Sequence, residues 1–204
     1  ILNLLRAKNQ LNCNVTGIDP NPGEQGVGRF LSKNLNGIII QKGFAENLPY
    51  KKESFDVVFC SHVLEHVDSE IKSLKEIKRV LKKDGTLIIG MPTALMSLIS
   101  YISILLFTTH INLFFFLKSI GKKDMFKNFR LIFIPLSHSY PKAKSIFYDL
   151  FMYRTKRWEK IISENFKIKS KLKPYLYPFP DYIQLFKIHR SCFGSSSVFF
   201  ICKK

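Results

Sequence analysis

Cysteines are few and unpaired in this chain. Cys13, Cys60, Cys192 and Cys202 lie far apart, with no CxxC pair among them. That spacing excludes a disulfide-stapled secreted scaffold and predicts free thiols in a reducing compartment. No basic-then-apolar leader opens the chain, which begins with Ile1 rather than Met. Acidic residues are the next shortage. Residues 92–204 hold 19 Lys+Arg against 5 Asp+Glu, a net of +14, whereas residues 1–91 hold 13 against 10, a net of +3. The surplus favours anionic partners such as a membrane surface, nucleic acid or a phosphorylated substrate. Abundant Lys, Ile, Asn and Phe also match AT-rich coding, which raises positive charge without any partner. A phosphate-binding G-x-G-x-x-G loop is absent. Glycines 23, 26 and 28 stand in the wrong order for one and read as a loop.

At 204 residues, 46% of them hydrophobic, the chain has the material for one ordinary domain with an appendage. Residues 1–11 (ILNLLRAKNQL) read as the tail of a helix. Residues 15–19 (VTGID) read as a short strand closed by Pro20. Residues 37–42 (GIIIQK) read as a second, buried strand. The stretch 55–67, FDVVFCSHVLEHV, reads as a third. Its apolar run Phe55, Val57, Val58 and Phe59 has the character of a central strand in a parallel sheet. It hands the chain to Cys60, Ser61, His62, Glu65 and His66. Ligands of open α/β sheets sit outside the carboxyl ends of the strands, so these polar residues are where chemistry is expected.

Beyond them, Asp68 is an expected N-cap with Glu70 in the first turn. Ile71, Leu74, Ile77 and Leu81 have the spacing of one buried helix face. Lys82 and Lys83 suit the helix end, and Asp84-Gly85 is the expected stop. Residues 86–91 read as a strand. Residues 155–166 read as a helix burying Trp158, Ile161, Ile162 and Phe166, followed by strands over 167–172 and 197–202.

Several of these stretches together resemble the class I S-adenosylmethionine-dependent methyltransferases, in particular the type 11 methyltransferase domain family. The resemblance rests on Gly43-Phe44-Ala45-Glu46-x-Leu48-Pro49-Tyr50, Ser54-Phe55-Asp56-Val57-Val58, the acid Asp19 before Pro20, HVLEHV, and RVLKKDGTLIIGMPT. It covers residues 1–91 well and 154–204 loosely. It implies an α/β, Rossmann-like sheet that here lacks its first strand and glycine loop, both expected just before Ile1. It implies S-adenosyl-L-methionine as cofactor and methyl transfer to a small-molecule or lipid-linked acceptor: a lipid, a quinone or an envelope saccharide.

By the same resemblance, Asp19 and Pro20 would meet the ribose, and Ala45 and Glu46 the adenine. Ser61 and His62 would face the methionine end and the methyl group. Phe44 stands where the family often has an Asp reading the adenine amino group; it has no such acceptor and is expected to stack or pack. His62 and His66 are candidate general bases. Asp19 also reads simply as a turn residue before proline, and Glu65 and His66 as caps of the next helix.

Residues 94–117 carry no charge at all over 24 positions, and Lys118, Lys122, Lys123, Lys127 and Arg130 follow at once. As one helix the run would reach across a hydrocarbon core of roughly 30 Å. A single crossing would split the sheet between two sides, so the segment either dips and returns near residues 108–112, lies in the interface, or forms a lid of buried helices. The expected division is therefore a methyltransferase domain over 1–91 and 154–204 and a helical insertion over 92–153. The expected location is the cytoplasm, at the inner membrane face if the insertion meets lipid. His138, Tyr140 and Tyr148 fall where such enzymes shape an acceptor pocket, and residues 174–182 (PYLYPFPDY) read as a long connection.

His62-x-x-Glu65-His66 matches an inverted zinc-peptidase pattern, but that pattern needs one continuous helix, and here the residues follow a strand. No metal is expected. Nucleic acid is an unlikely acceptor: no Asn- or Asp-Pro-Pro-aromatic motif follows FDVVF, and no cysteine follows the strand ending at Met91. A non-catalytic member of the fold, binding a partner or membrane, is the remaining alternative.

Overall fold

The structure is a computed structural model and describes residues 12–22, 38–107, 109–133, 146–174 and 194–204. The expected helix over residues 1–11, the glycines at 23, 26 and 28, His138, Tyr140, most of the 174–182 stretch and Cys192 lie outside the described residues.

Two sheet blocks form the frame. Strands β1 (Thr16–Asp19) and β2 (Ile39–Lys42) pair in parallel, Asp19 opposite Lys42. Strands β3 (Phe55–Ser61), β4 (Leu81–Pro92), β5 (Lys167–Leu172) and β6 (Ser197–Lys203) form a second sheet in the order β3-β4-β6-β5. β3 and β4 run parallel, whereas β6 is antiparallel to both its neighbours. Among the described residues no ladder joins β1 to β3. The blocks are tied instead through the 43–50 loop, where Thr16 Oγ1 lies 3.0 Å from the Tyr50 hydroxyl.

The core lies on one face of the four-stranded sheet. Cys60, Leu87, Ile89, Met91, Val198, Phe200 and Cys202 alternate onto it and are buried. They are covered by α1 (Glu70–Val80) through Leu74 and Ile77, and by α6 (Thr155–Ser163) through Trp158 and Ile162. Two bonds set α6 in place. The Trp158 indole donates to the Pro92 carbonyl at 3.1 Å, and Arg157 meets Glu70 on α1 at 2.6 Å. Burying an indole is favourable only when its N–H finds an acceptor, which the end of β4 supplies.

β3 departs from the expected buried strand. Val57 and Phe59 are 53% and 44% exposed, because they point to the face opposite α1 and α6. Helix α1 also differs at both ends. Ser69, not Asp68, is the N-cap, its hydroxyl accepting from Lys72 N–H at 3.3 Å. Val80 replaces Ile71 on the buried face, and Ile71 is 50% exposed. The helix ends at Val80 because Leu81 turns to extended backbone and pairs with Phe55. Lys82 and Lys83 therefore open β4 instead of closing the helix, and Lys82 bonds Asp56 across the strands at 2.8 Å.

Among the described residues the uncharged run contributes α2 (Ala94–Phe107) and α3 (Thr109–Lys118), followed by α4 (Met125–Phe133) and α5 (Ile146–Met152). No helix among the described residues is long and apolar enough to cross a membrane. The 14-residue α2 is about 21 Å long at ~1.5 Å per residue, short of a roughly 30 Å hydrocarbon core.

Candidate active site

The candidate residues collect at the carboxyl ends of β1, β2 and β3. Asp19 ends β1 and is held there, its Oδ1 accepting from Asn21 N–H at 2.8 Å. This is an Asx turn, the local structure that a short carboxylate before a turn tends to make. The Asp19 carbonyl accepts from Gly43 N–H at 3.1 Å, which locks the residue after β2 beside it. Gly43 has little room for a side chain: a Cβ would lie 3.2 Å from Ile18 Cγ2.

The turn that follows presents Phe44, Ala45 and Glu46. Phe44 is 59% exposed, so its ring face is open for stacking. Glu46 points away from that ring's task. Its Oε1 accepts from Asp68 N–H at 2.8 Å and Ser69 N–H at 3.4 Å, so its carboxylate caps the start of α1. A negative group there offsets the positive end of the helix and satisfies two N–H groups that lack partners within it. The sequence suggested Asp68 as the cap; the long-range carboxylate of Glu46 shares that role with Ser69.

A clamp not foreseen from sequence fixes the same loop. Arg79 donates to the Tyr50 carbonyl at 2.7 Å, to the Leu48 carbonyl at 2.9 Å and to both Glu76 oxygens, at 2.7 and 2.8 Å. Glu76 Oε2 also accepts from Leu48 N–H at 2.9 Å. The hydrogen bond from Arg79 holds the Glu76 carboxyl below its ordinary value, and the Leu48 N–H adds to that. The one local signal was Glu76-x-x-Arg79, an i,i+3 ion pair; nothing nearby says that it grips residues 48–50.

At the end of β3 the chain turns sharply. His62 has φ +53°, the left-handed region in which non-glycine residues are uncommon. Its N–H continues the ladder by donating to Gly90 carbonyl at 2.9 Å. The ring is hydrogen-bonded at one nitrogen and approaches a carboxyl group with the other. Nε2 is 2.9 Å from Ser197 Oγ at the start of β6, and Nδ1 is 3.2 Å from Glu65 Oε1. The Glu65 side chain is fully buried, and His66 Nε2 stands 3.9 Å from the same oxygen. Neither Glu65 oxygen has a hydrogen-bond partner among the described residues, so the two imidazoles beside it are what can offset the cost of burying this carboxyl.

Burial, and secondarily the Glu65 carboxylate, push the neighbouring Cys60 thiol up to about 12, so Cys60 is packing rather than nucleophile. His62 thus sits between the Ser197 hydroxyl, its hydrogen-bond partner, and the buried Glu65 carboxyl, and an imidazole placed between two such groups can exchange a proton. Ser197 is 135 residues from His62 and carried no sequence signal. Among the described residues no group of three or more His, Cys, Asp and Glu is placed to hold a metal.

A cavity of about 410 Å³ opens where β4 ends and β6 begins. Thr93, Leu95, Arg154, Lys156, Lys173, Ser195 and Val198 are among the residues lining it. Thr93 braces its wall by donating to the Ser195 carbonyl at 2.6 Å.

Residues 2–89 match the methyltransferase domain family. A demethylmenaquinone methyltransferase of Staphylococcus haemolyticus is 38% identical over 74 residues, 36% of this chain and 31% of that protein. A ubiquinone/menaquinone biosynthesis C-methyltransferase of Campylobacter jejuni is 37% identical over 76 residues, 37% of this chain and 31% of that protein. The matched stretch thus spans 31% of the length of both relatives. Among solved structures, a SAM-dependent methyltransferase of Thermotoga maritima has a TM-score of 0.55 at 21% identity, covering 98% of this chain and 77% of that one. An S-adenosylmethionine-dependent methyltransferase of Mesorhizobium loti has a TM-score of 0.55 at 12% identity, covering 98% and 84%. At those identities the likeness establishes the Rossmann-like methyltransferase fold.

Proposed function

We propose that this chain is a class I S-adenosylmethionine-dependent methyltransferase that transfers a methyl group to a small, hydroxylated or quinone-type acceptor at the carboxyl ends of β1 to β4. The observation that carries the reading is that Asp19, the Phe44–Ala45 turn and the Ser61–His62 turn each follow the carboxyl end of a parallel strand, β1, β2 and β3 in turn.

The donor set fits the cofactor. Asp19 supplies a carboxylate, fixed by Asn21 N–H, of the kind that binds a ribose diol. Phe44 offers an exposed ring for adenine, and the backbone of Ala45 and Pro20 bounds the nucleoside. When bound, the cofactor supplies an activated methyl on a sulfonium. Glu46 serves this site indirectly, by fixing α1 under the turn. Ser61 and His62 line the reacting end. His62, oriented by Glu65, takes the acceptor's proton at Nε2 once Ser197 yields that nitrogen. His66 stands beside the same carboxyl group. Much of the rate then comes from alignment of acceptor and methyl. The quinone preference rests on the names of the two bacterial relatives and on the largely apolar 94–117 segment, whose first residues line the cavity.

The test is titration of S-adenosylmethionine into the complete gene product, followed by transfer of labelled methyl to a panel of demethylated quinol, saccharide and RNA. Saturable binding that Asp19→Ala weakens by about tenfold, the worth of one charge-assisted hydrogen bond, supports the reading. Absence of any cofactor binding would sink it in favour of a non-catalytic role. Labelling of RNA alone would move the acceptor class.

A further inference from the structure

We propose that the α3–α4 hairpin, with the outer side of α2, docks peripherally on an anionic lipid surface. The hairpin is a built unit. Asn112 Nδ2 donates to the Leu131 carbonyl at 3.0 Å, and the Phe116 and Phe129 rings meet at 5.4 Å. Its connection is ordered by Ser119 N–H to the Phe116 carbonyl and Lys122 N–H to the Ser119 carbonyl, both 2.9 Å.

What it presents outward is apolar. Ile111, Phe114 and Phe115 form an i, i+3, i+4 stripe on α3, each 45% or more exposed. Phe126, Phe129 and Phe133 form an i, i+3, i+7 stripe on α4, with Phe126 at 78%. Leu106 on α2 is 70% exposed. A folded chain rarely leaves so many large apolar side chains in water unless something covers them.

The charge around the patch says what. Residues 94–133 contain Lys118, Lys122, Lys123, Lys127 and Arg130 against one acid, Asp124, a net of +4. The four lysines are exposed: Lys118 ends α3, Lys122 and Lys123 lie in the connection, and Lys127 is in the first turn of α4. A second copy of the chain would bring these lysines against their own kind. An anionic bilayer accepts both features at once: rings into the acyl boundary and lysines among the headgroups. The helices are too short to cross, so the contact is interfacial. α2 leaves β4 one residue past Pro92, so a docked hairpin holds the cavity mouth close to the lipid plane. The docking does not depend on the methyl-transfer reading, which the cofactor titration tests separately.

The experiment is flotation of the whole chain with vesicles of phosphatidylcholine alone or mixed with phosphatidylglycerol. The chain should float with the anionic vesicles, not the neutral ones, and high salt should weaken it. Replacing Lys118, Lys122, Lys123 and Lys127 by Gln should lower partitioning on the order of a thousandfold. A triple Phe114→Ser, Phe115→Ser, Phe126→Ser variant should abolish it. Melting temperatures of both variants should match the parent, since all seven side chains are exposed; should the serine variant unfold, the lysine variant alone decides. The proposal is overturned if the chain fails to float, floats equally with neutral vesicles, or keeps its partitioning without the lysines. A stable dimer that shields these phenylalanines from labelling overturns it too.

Discussion

Exchanging His62 for alanine and, separately, for glycine asks what the left-handed turn at the end of β3 is for. The imidazole makes two contacts that alanine removes, to Ser197 at 2.9 Å and to Glu65 at 3.2 Å. The first is worth about 0.5–1.5 kcal/mol, and leaving the buried Glu65 carboxylate short of a partner costs about 1–3 kcal/mol more. Alanine at φ +53° retains the backbone strain. His62→Ala should therefore lose about 2–4 kcal/mol in urea unfolding. Glycine loses the same contacts but relieves about 1–2 kcal/mol of left-handed strain, against about 0.5–1 kcal/mol of added backbone entropy. His62→Gly should thus be the more stable of the two, by up to about 1.5 kcal/mol. Methyl transfer should fall in both, because neither carries a base. If alanine is as stable as glycine, the strain is not real. If neither variant is destabilised, the Ser197–His62–Glu65 chain is not formed, and His62 loses its support as the oriented base.

Three other consequences can be checked directly. Glu76→Gln should loosen residues 48–50 and weaken the cofactor site. Because the folded-state carboxyl is held below its ordinary value of 4.5, its contribution is present above that value and lost as pH falls through the lowered one. The stability gap between parent and variant should accordingly be full at pH 6 and close in acid. Gly90→Ala would place a Cβ 2.5 Å from Phe199 Cε1, and should cost about 1–3 kcal/mol by overpacking, recovered in part by Phe199→Leu. In a Cys192→Ser background, exposed Cys13 should react with a thiol reagent at pH 8. Cys60 and Cys202, their thiols pushed up by burial to about 12 and about 11, should react only on unfolding. Equal reactivity of all three would contradict the packing of the core face.

Local pattern was enough for much of the frame. The strand–turn signals placed β1, β2 and β3 within a residue or two, because alternation and a following proline or polar turn act over a few residues. The 3.6 period found Leu74, Ile77, Trp158 and Ile162 on buried faces for the same reason. It failed at Ile71 and at the 81–85 stretch. There the outcome depended on which strand lay nearby: Leu81 pairs with Phe55, and a ladder partner 26 residues away overrides a local helix preference. The uncharged run left three arrangements open, a dip and return near residues 108–112, an interfacial segment or a lid, because charge content sets what a helix can bury and not where it packs.

The sequence by itself determined the family of the fold, the order of its elements and which turns carry Asp19, Ala45 and His62, since short-range sterics and hydrophobic period are written residue by residue. Only the tertiary structure decided the partners. It turned Glu46 into a helix cap, made Arg79 the clamp of residues 48–50 and brought Ser197 onto His62 across 135 residues. Those contacts join elements far apart in the chain. They exist only once the sheet order is set, because a hydrogen bond at about 2.9 Å is decided by how strands and helices stack.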